Sequence, residues 1–334
     1  MAVVTLARHA MATRFEMVLH GDDPTALRAA GEEALDEIER LEAQLSVFRP
    51  SSEIAHLNAR AGREPVRVTP RLFRLLEWAR RLNEETGGAF DITIAPLVRC
   101  WGFMGGTGRV PTEEQVAEAR NCVGMQLVEM DPTNSTVHFS REGVMLDLGA
   151  IGKGYAIEQA AELLRDAGVS SALVHGGTST IYALGHPPEL EAWQIAITHP
   201  ETGASQLANT HKSEQKNRLE AAHATTVVSL TDEAMSVSAV WGKCFQSGGE
   251  TYGHIIDPRN GRPASHGVLA AVVLASATET DALSTALLTV GPEGHDVIAG
   301  LRGGMRTLVS GKSGEQLCYK SNGIEVLGTT GGSI

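Results

Sequence analysis

Asp281 and Thr285 stand four apart in Thr280-Asp281-Ala282-Leu283-Ser284-Thr285. On a helix that spacing puts both side chains on one face. A carboxylate and a hydroxyl there offer two hard oxygen ligands of the kind Mg²⁺ takes. Such a pair also recurs on solvated helix faces, so its meaning depends on the rest of the chain. A second candidate is Asp147-Leu148-Gly149-Ala150-Ile151-Gly152-Lys153-Gly154-Tyr155-Ala156, read as a strand end, a glycine-rich bend and a helix start. Glycines let backbone approach a ligand, and the N–H groups of a helix N-terminus suit a phosphate. It is not a Walker A loop, because no Ser or Thr follows Lys153. Its G-x-x-G-x-G spacing is not the dinucleotide fingerprint either. A third is His254-Ile255-Ile256-Asp257-Pro258-Arg259-Asn260-Gly261-Arg262-Pro263. Among 12 histidines, His254 alone has an unusual setting, a strand start before an Asp-Pro turn. Its imidazole titrates near neutrality and suits proton transfer. Phe90, Trp101 and Phe103 could line a flat ring pocket, with core packing as the competing reading. Phe48 reads as an exposed aromatic before a capped helix.

The elements that would position these residues follow from periodicity and caps. Alternation over residues 13–20 predicts a strand. Asp23 as N-cap and Pro24 in the first turn open a helix to about Ser46. Further helices start at Ser51 or Ser52, and at Thr69 with Pro70, the latter ending at Gly87-Gly88. A short polar helix covers 111–120. Strands are expected at 127–130, 137–139, 144–148, 171–175, 179–183, 193–198, 225–230, 252–256 and 268–275. Helices are expected from the glycine-rich bend to Ala167, at 279–290 and at 293–300, with a hairpin near 311–314. Residues 209–223 are polar and charged and read as a surface insertion. Helices dominate the first third and strands the rest, which is an α+β pattern. A helix-rich lobe of about 21–125 and a strand-rich lobe of about 126–327 would form a single domain of 334 residues.

Composition narrows the function. The formal net charge is −12, with no basic run, which argues against nucleic-acid binding. An anionic ligand would need a metal, a helix N-terminus or a few placed cations. Cys100, Cys122, Cys244 and Cys318 are far apart, so zinc and disulfide frameworks are not expected. No apolar stretch is long enough to span a membrane, and the first 15 residues lack an export signal, so the expected location is cytoplasmic.

Met11-Ala12-Thr13-Arg14-Phe15, Ser46 to Pro50, Phe90 to Pro96, Trp101-Gly102-Phe103, Asp147 to Ala156, Val174-His175-Gly176-Gly177, His254 to Pro263 and Asp281 to Thr285 occur in this order. Together they resemble the ApbE family, the FAD:protein FMN transferases, over roughly residues 11–291. The resemblance implies a bilobal α+β fold with mainly antiparallel sheets and an FAD cleft between lobes. It implies Mg²⁺-dependent transfer of FMN from FAD to a Thr or Ser hydroxyl of an acceptor protein, with AMP released. By the same resemblance, Asp281, Thr285 and the Ala150 carbonyl match metal ligands. Asp147 and Lys153 match cofactor contacts, as do Met11, Phe48, Ala89, Phe90, Asp91 and Ile255. His254 matches the acid/base residue, so His254 and Asp281 are the catalytic candidates. Ala12 stands where glycine is usual, Phe48 where tyrosine is common, and Ser236-Val237-Ser238-Ala239 in place of Ala-Thr-Ser-Gly. Competing readings are an FAD pyrophosphatase giving FMN and AMP, and a flavin-binding protein without turnover.

Overall fold

The computed structural model describes residues 1–198, 225–313 and 316–326. The proposed insertion at 209–223 lies outside them. The chain opens with a hairpin, β1 (Ala2–Ala10) and β2 (Thr13–Gly21). Then come α1 (Pro24–Leu45), α2 (Glu53–Arg60), β3 (Val66–Arg67), α3 (Pro70–Glu85), α4 (Ala95–Cys100) and α5 (Glu113–Arg120). Strands β4 (Val128–Asp131) and β5 (Thr136–Phe139) precede α6 (Gly152–Asp166). After α6 the chain is mostly extended: β6 (Ser171–Gly176), β7 (Thr180–Leu184), β8 (Trp193–Thr198), β9 (Thr225–Leu230) and β10 (Glu233–Ala239). Short ribbons follow, β11 (Cys244–Ser247) with β12 (Glu250–Gly253) and β13 (Ile256–Asp257) with β14 (Arg262–Pro263). The last elements are β15 (Gly267–Leu274), α7 (Ala277–Val290), α8 (His295–Ala299), β16 (Arg306–Ser313) and β17 (Gln316–Asn322).

Eight strands form one sheet in the order β1-β2-β6-β7-β10-β15-β16-β17, with every neighbouring pair antiparallel. The α+β class with mainly antiparallel sheets is therefore as expected. Strand β15 shows why its centre is dry. Ala270 and Val272 join the core beneath the helices, while Leu269, Ala271 and Val273 join a second core with Ile197, Val228 and Leu230 of the β8–β9 ribbon. Period-two alternation sends successive side chains to opposite faces, and here both faces are covered. The main core runs without a break from Val4 to Val309.

The caps are as the sequence predicts. Asp23 Oδ1 accepts from the N–H groups of Thr25 and Ala26 at 2.9 and 3.1 Å. The hydroxyls of Ser52 and Thr69 cap α2 and α3. Not every element was expected. Strands β1 and β10 were not anticipated, although in β1 Val4 and Leu6 are buried and Val3 is exposed. Residues 144–148 are not a ladder strand. The Asn58 side chain takes the place of a neighbouring strand, donating to Leu146 O at 2.9 Å and accepting from Leu146 N at 2.8 Å. Beside it, Asp147 N donates to Ile92 O at 2.7 Å.

Candidate functional site

Helix α7 is buried on nearly every side, so its polar side chains need partners, and all but the Thr278 hydroxyl have one. Asp281 is 4% exposed. Its Oδ2 accepts from Gly154 N at 2.9 Å, and the Thr180 hydroxyl lies 3.5 Å from Oδ1. Ser236 of β10 links Thr180 at 3.2 Å to Thr280 at 2.8 Å. Ser238, on the same strand, lies 2.9 Å from the Ser284 hydroxyl and 3.4 Å from that of Thr285. Thr285 Oγ1 donates to Asp281 O at 3.2 Å, which leaves its lone pairs free to act as acceptors. The result is a seam of hydroxyls between α7 and β10 with one carboxylate at its end.

Close approach of α6 to α7 makes this contact possible. A Cβ built on Gly154 would lie 2.7 Å from Asp281 Cβ and closer still to the Ala277 carbonyl oxygen. Gly154 N points at the carboxylate, and among the described residues no hydrogen bond goes to Ala150 O. The Asp281 carboxylate and the Thr285 hydroxyl, one turn apart on α7, are hard oxygens of the kind Mg²⁺ takes, and the Ala150 carbonyl is a third in the bend four residues before Gly154. Among the described residues no three His, Cys, Asp or Glu side chains gather as a metal site, and the set implied here contains only one carboxylate.

The bend before α6 carries the next group. Asp147 Oδ1 accepts from Gly149 N at 2.8 Å. Burial pushes the Asp147 carboxyl above its usual value, against the hydrogen bond from Gly149 and the charges of Lys153 and Lys243. His254 follows β12, one step beyond the ladder pair Cys244 and Gly253, rather than starting a strand. Its backbone N donates to Lys243 O at 2.9 Å, and its ring Nδ1 lies 3.1 Å from the same oxygen. The Lys243 N–H also lies 3.4 Å from Nδ1, but the shorter contact to the carbonyl favours the proton on Nδ1, which leaves Nε2 as the base. Burial lowers the His254 pKa; the hydrogen bond to Lys243 raises it, and the charges of Lys243 and Lys153 lower it further. Asp147, Lys153, Lys243 and His254 thus form one electrostatic neighbourhood. Phe103 packs edge-on to the His254 ring at 6.4 Å.

The remaining candidates are placed unevenly. Met11 and Ala12 form the β1–β2 turn with φ of +48° and +58°. This turn adjoins Gly177, whose neighbour in space is Thr13, and Thr180 of the following strand reaches Asp281. Phe48 is 65% exposed. Ala89, Phe90 and Asp91 are buried, with Ala89 and Phe90 in the main core, so side-chain stacking from Phe90 is replaced by packing. The Asp91 carboxyl accepts from Thr93 N and Oγ1 at 2.7 and 2.6 Å, and burial pushes its pKa up. Trp101 is also core, donating to Gly261 O at 2.8 Å. Ile255 packs against the main core. The rest of its segment is structural: Asp257 accepts from Arg259 N at 2.9 Å and from the Arg259 guanidinium. No hydrogen bond or ring contact joins Met11 or Phe48 to the Asp281 group among the described residues. Nearby, a groove of about 300 Å³ between α2 and residues 143–145 is lined by Val47, Asn58, Arg99 and Met145.

Gly154, Thr180, Ser236 and Lys243 are not among the residues singled out from the sequence. Gly154 had a signal there as the last glycine of the bend, and Ser236 as part of Ser236-Val237-Ser238-Ala239; Thr180 and Lys243 depend on strand pairing.

The sequence profile of the ApbE family matches residues 11–309. A protein of Treponema pallidum named FAD:protein FMN transferase is 33% identical over 282 residues, covering 80% of this chain and 73% of its own. One of the same name from Haemophilus influenzae is 30% identical over 301 residues, covering 87% and 82%. The crystal structure of the Pseudomonas stutzeri flavinyl transferase ApbE, apo form, superposes with a TM-score of 0.80 at 28% identity, covering 96% of this chain and 95% of that one.

Proposed function

This chain belongs to the ApbE family, and from that premise we propose that it transfers the FMN part of FAD to a serine or threonine hydroxyl of an acceptor protein. The acceptor oxygen bonds to the phosphorus of the FMN phosphate. The pyrophosphate bond to that phosphorus breaks, and AMP leaves with the electron pair. The hydroxyl proton goes to His254 Nε2. Phosphoryl transfer of this kind needs positioning and charge neutralisation more than covalent catalysis.

One observation carries the reading. Among the described residues the only carboxylate of the Asp281 seam is fixed by an N–H of α6, the helix that carries Lys153 and whose preceding bend holds Asp147 and Ala150. A bound Mg²⁺, held by Asp281, Thr285 and the Ala150 carbonyl, would supply positive charge for the pyrophosphate oxygens. The Lys153 ammonium would orient that anion. Met11, Phe48 and the 89–91 backbone would contact the flavin and adenine rings, and Ile255 would close the pocket beside His254. The acidic surface argues against a nucleic-acid role, and no described helix is long and apolar enough to cross a membrane.

The test is FAD titration followed by AMP analysis, with and without Mg²⁺, on wild type and on Asp281→Asn. The expected result is FAD binding in both, and Mg²⁺-dependent AMP release in wild type alone. Equal AMP release from the variant would refute the metal assignment. Failure of wild type to bind FAD would refute the flavin reading.

A further inference from the structure

Lysine is scarce in this chain, at Lys153, Lys212, Lys216, Lys243, Lys312 and Lys320. Two of these six act electrostatically on the same two groups, Asp147 and His254. Lys243 stands opposite His254, where the β11–β12 ribbon continues past Cys244 and Gly253. Directly opposed residues of an antiparallel pair put their side chains on one face, about 5 Å apart. The backbone confirms the pairing, since Lys243 O takes both the N–H and the ring Nδ1 of His254. The same ribbon face continues through Phe245 and Tyr252, whose rings stack at 5.2 Å and so fix its direction. Lys243 is exposed, and among the described residues neither it nor Lys153 is in an ion pair.

Two cations without an ion pair, acting on the half-buried Asp147 carboxyl in a chain of net charge −12, leave a local positive excess. Many cations of this chain find carboxylates, as Arg8 does with Glu32 and Arg262 with Glu113, while others such as Arg28, Arg67 and Arg74 are in no ion pair among the described residues. What sets Lys153 and Lys243 apart is that both charges act on Asp147 and His254, so an anion held there would meet both.

We propose that Lys243 binds a pyrophosphate oxygen of FAD from the side opposite Lys153, while its carbonyl holds His254 in the tautomer that accepts the acceptor proton. This rests on the FMN-transfer reading above. Lys243 is then a substrate-contacting residue as well as a positioning residue, the first through its ammonium and the second through its backbone. Because the positioning is done by the backbone, substitution of the side chain leaves it in place and isolates the charge.

The experiment compares wild type, Lys243→Met and Lys243→Arg by FAD titration calorimetry, with riboflavin, which lacks phosphate, as the uncharged probe. The unliganded melting temperature serves as fold control. A charge-assisted contact predicts a loss of FAD affinity of roughly ten- to hundred-fold in Lys243→Met. Lys243→Arg should recover most of it, with riboflavin affinity and melting temperature unchanged. FAD affinity equal to wild type in Lys243→Met would overturn the proposal, whether or not the acceptor is then used less well. A parallel fall in melting temperature without rescue by Arg would also overturn it, by showing a structural role. These outcomes differ from failure of the functional reading, in which wild type itself does not bind FAD.

Discussion

Replacing Gly154 by alanine tests the α6–α7 contact on which the site depends. The added methyl would meet Asp281 Cβ at 2.7 Å and the Ala277 carbonyl at a shorter distance, where real Cβ atoms essentially never lie. Both partners belong to α7, one of them backbone, so no flexible side-chain tip can give way. Overpacking of this kind costs about 1–3 kcal/mol. Separation of the helices also strains the bond from Gly154 N to the Asp281 carboxylate, worth about 1.5–3 kcal/mol as a charged hydrogen bond. Helix propensity works in the other direction by at most about 1 kcal/mol. The net expectation is a destabilisation of about 2–4 kcal/mol. A shift of about 1 Å at a reacting centre can cost about 10²-fold in rate, so Mg²⁺-dependent AMP release should fall on that scale. Gly303→Ala is the control, because a Cβ there meets nothing within 4 Å and the residue is not in the left-handed region. Urea unfolding and single-turnover AMP release on both variants give the comparison. If Gly154→Ala matches Gly303→Ala in stability and rate, the reasoning from close approach is refuted.

Three further expectations follow from other parts of the site. His254→Ala should slow transfer by roughly 10²–10⁴-fold, the scale of a lost general base, with little change in FAD affinity. Because burial holds the folded His254 pKa below 6.5, the acid limb of kcat/KM should lie below pH 6.5 and vanish in the variant; a limb above 6.5 would contradict it. The same depression means that the stability contributed by His254 is fully present above pH 6.5 and is lost as pH falls through the folded value. Ala12→Gly should relieve about 1–2 kcal/mol of left-handed strain at φ +58° and lose about half of that to unfolded-state entropy, a net gain of about 0.5–1 kcal/mol in urea unfolding. Glu279 is buried at the start of α7, two residues before Asp281, and accepts from Trp78, Arg81 and Arg302. Glu279→Gln should cost about 1–3 kcal/mol, measured by the same unfolding, because it removes the buried charged acceptor while Arg302 and Arg81 keep Glu85; a loss under about 0.5 kcal/mol would show that the cluster is not coupled to the fold.

The sequence was most informative where structure is local. The caps at Asp23, Ser52 and Thr69 need only neighbouring residues, and all three hold their helices. The Asp281 and Thr285 pair was readable from helical spacing, and both residues line one seam. Residues 144–148 failed because their partner is a side chain, Asn58, 88 positions away. Phe90 was ambiguous because an aromatic in a ring pocket and one in a core have the same sequence pattern, and the core holds it. Gly154 shows the same limit at the site: its reason for being glycine is a helix 127 residues later. Lys243 had no signal until the β11–β12 pairing set it against His254.

The central claim is that FMN leaves FAD and becomes bonded to protein. The most direct measurement incubates the chain with FAD, Mg²⁺ and flavin-depleted protein extracted from the cells that encode it. Denaturing gels are then read for flavin fluorescence, the fluorescent bands are identified by mass spectrometry, and AMP is quantified. The account predicts FMN attached through phosphate to a serine or threonine, AMP in equal amount, and loss of both on chelation of Mg²⁺. Free FMN and AMP with no labelled protein, or FAD left intact, would contradict it.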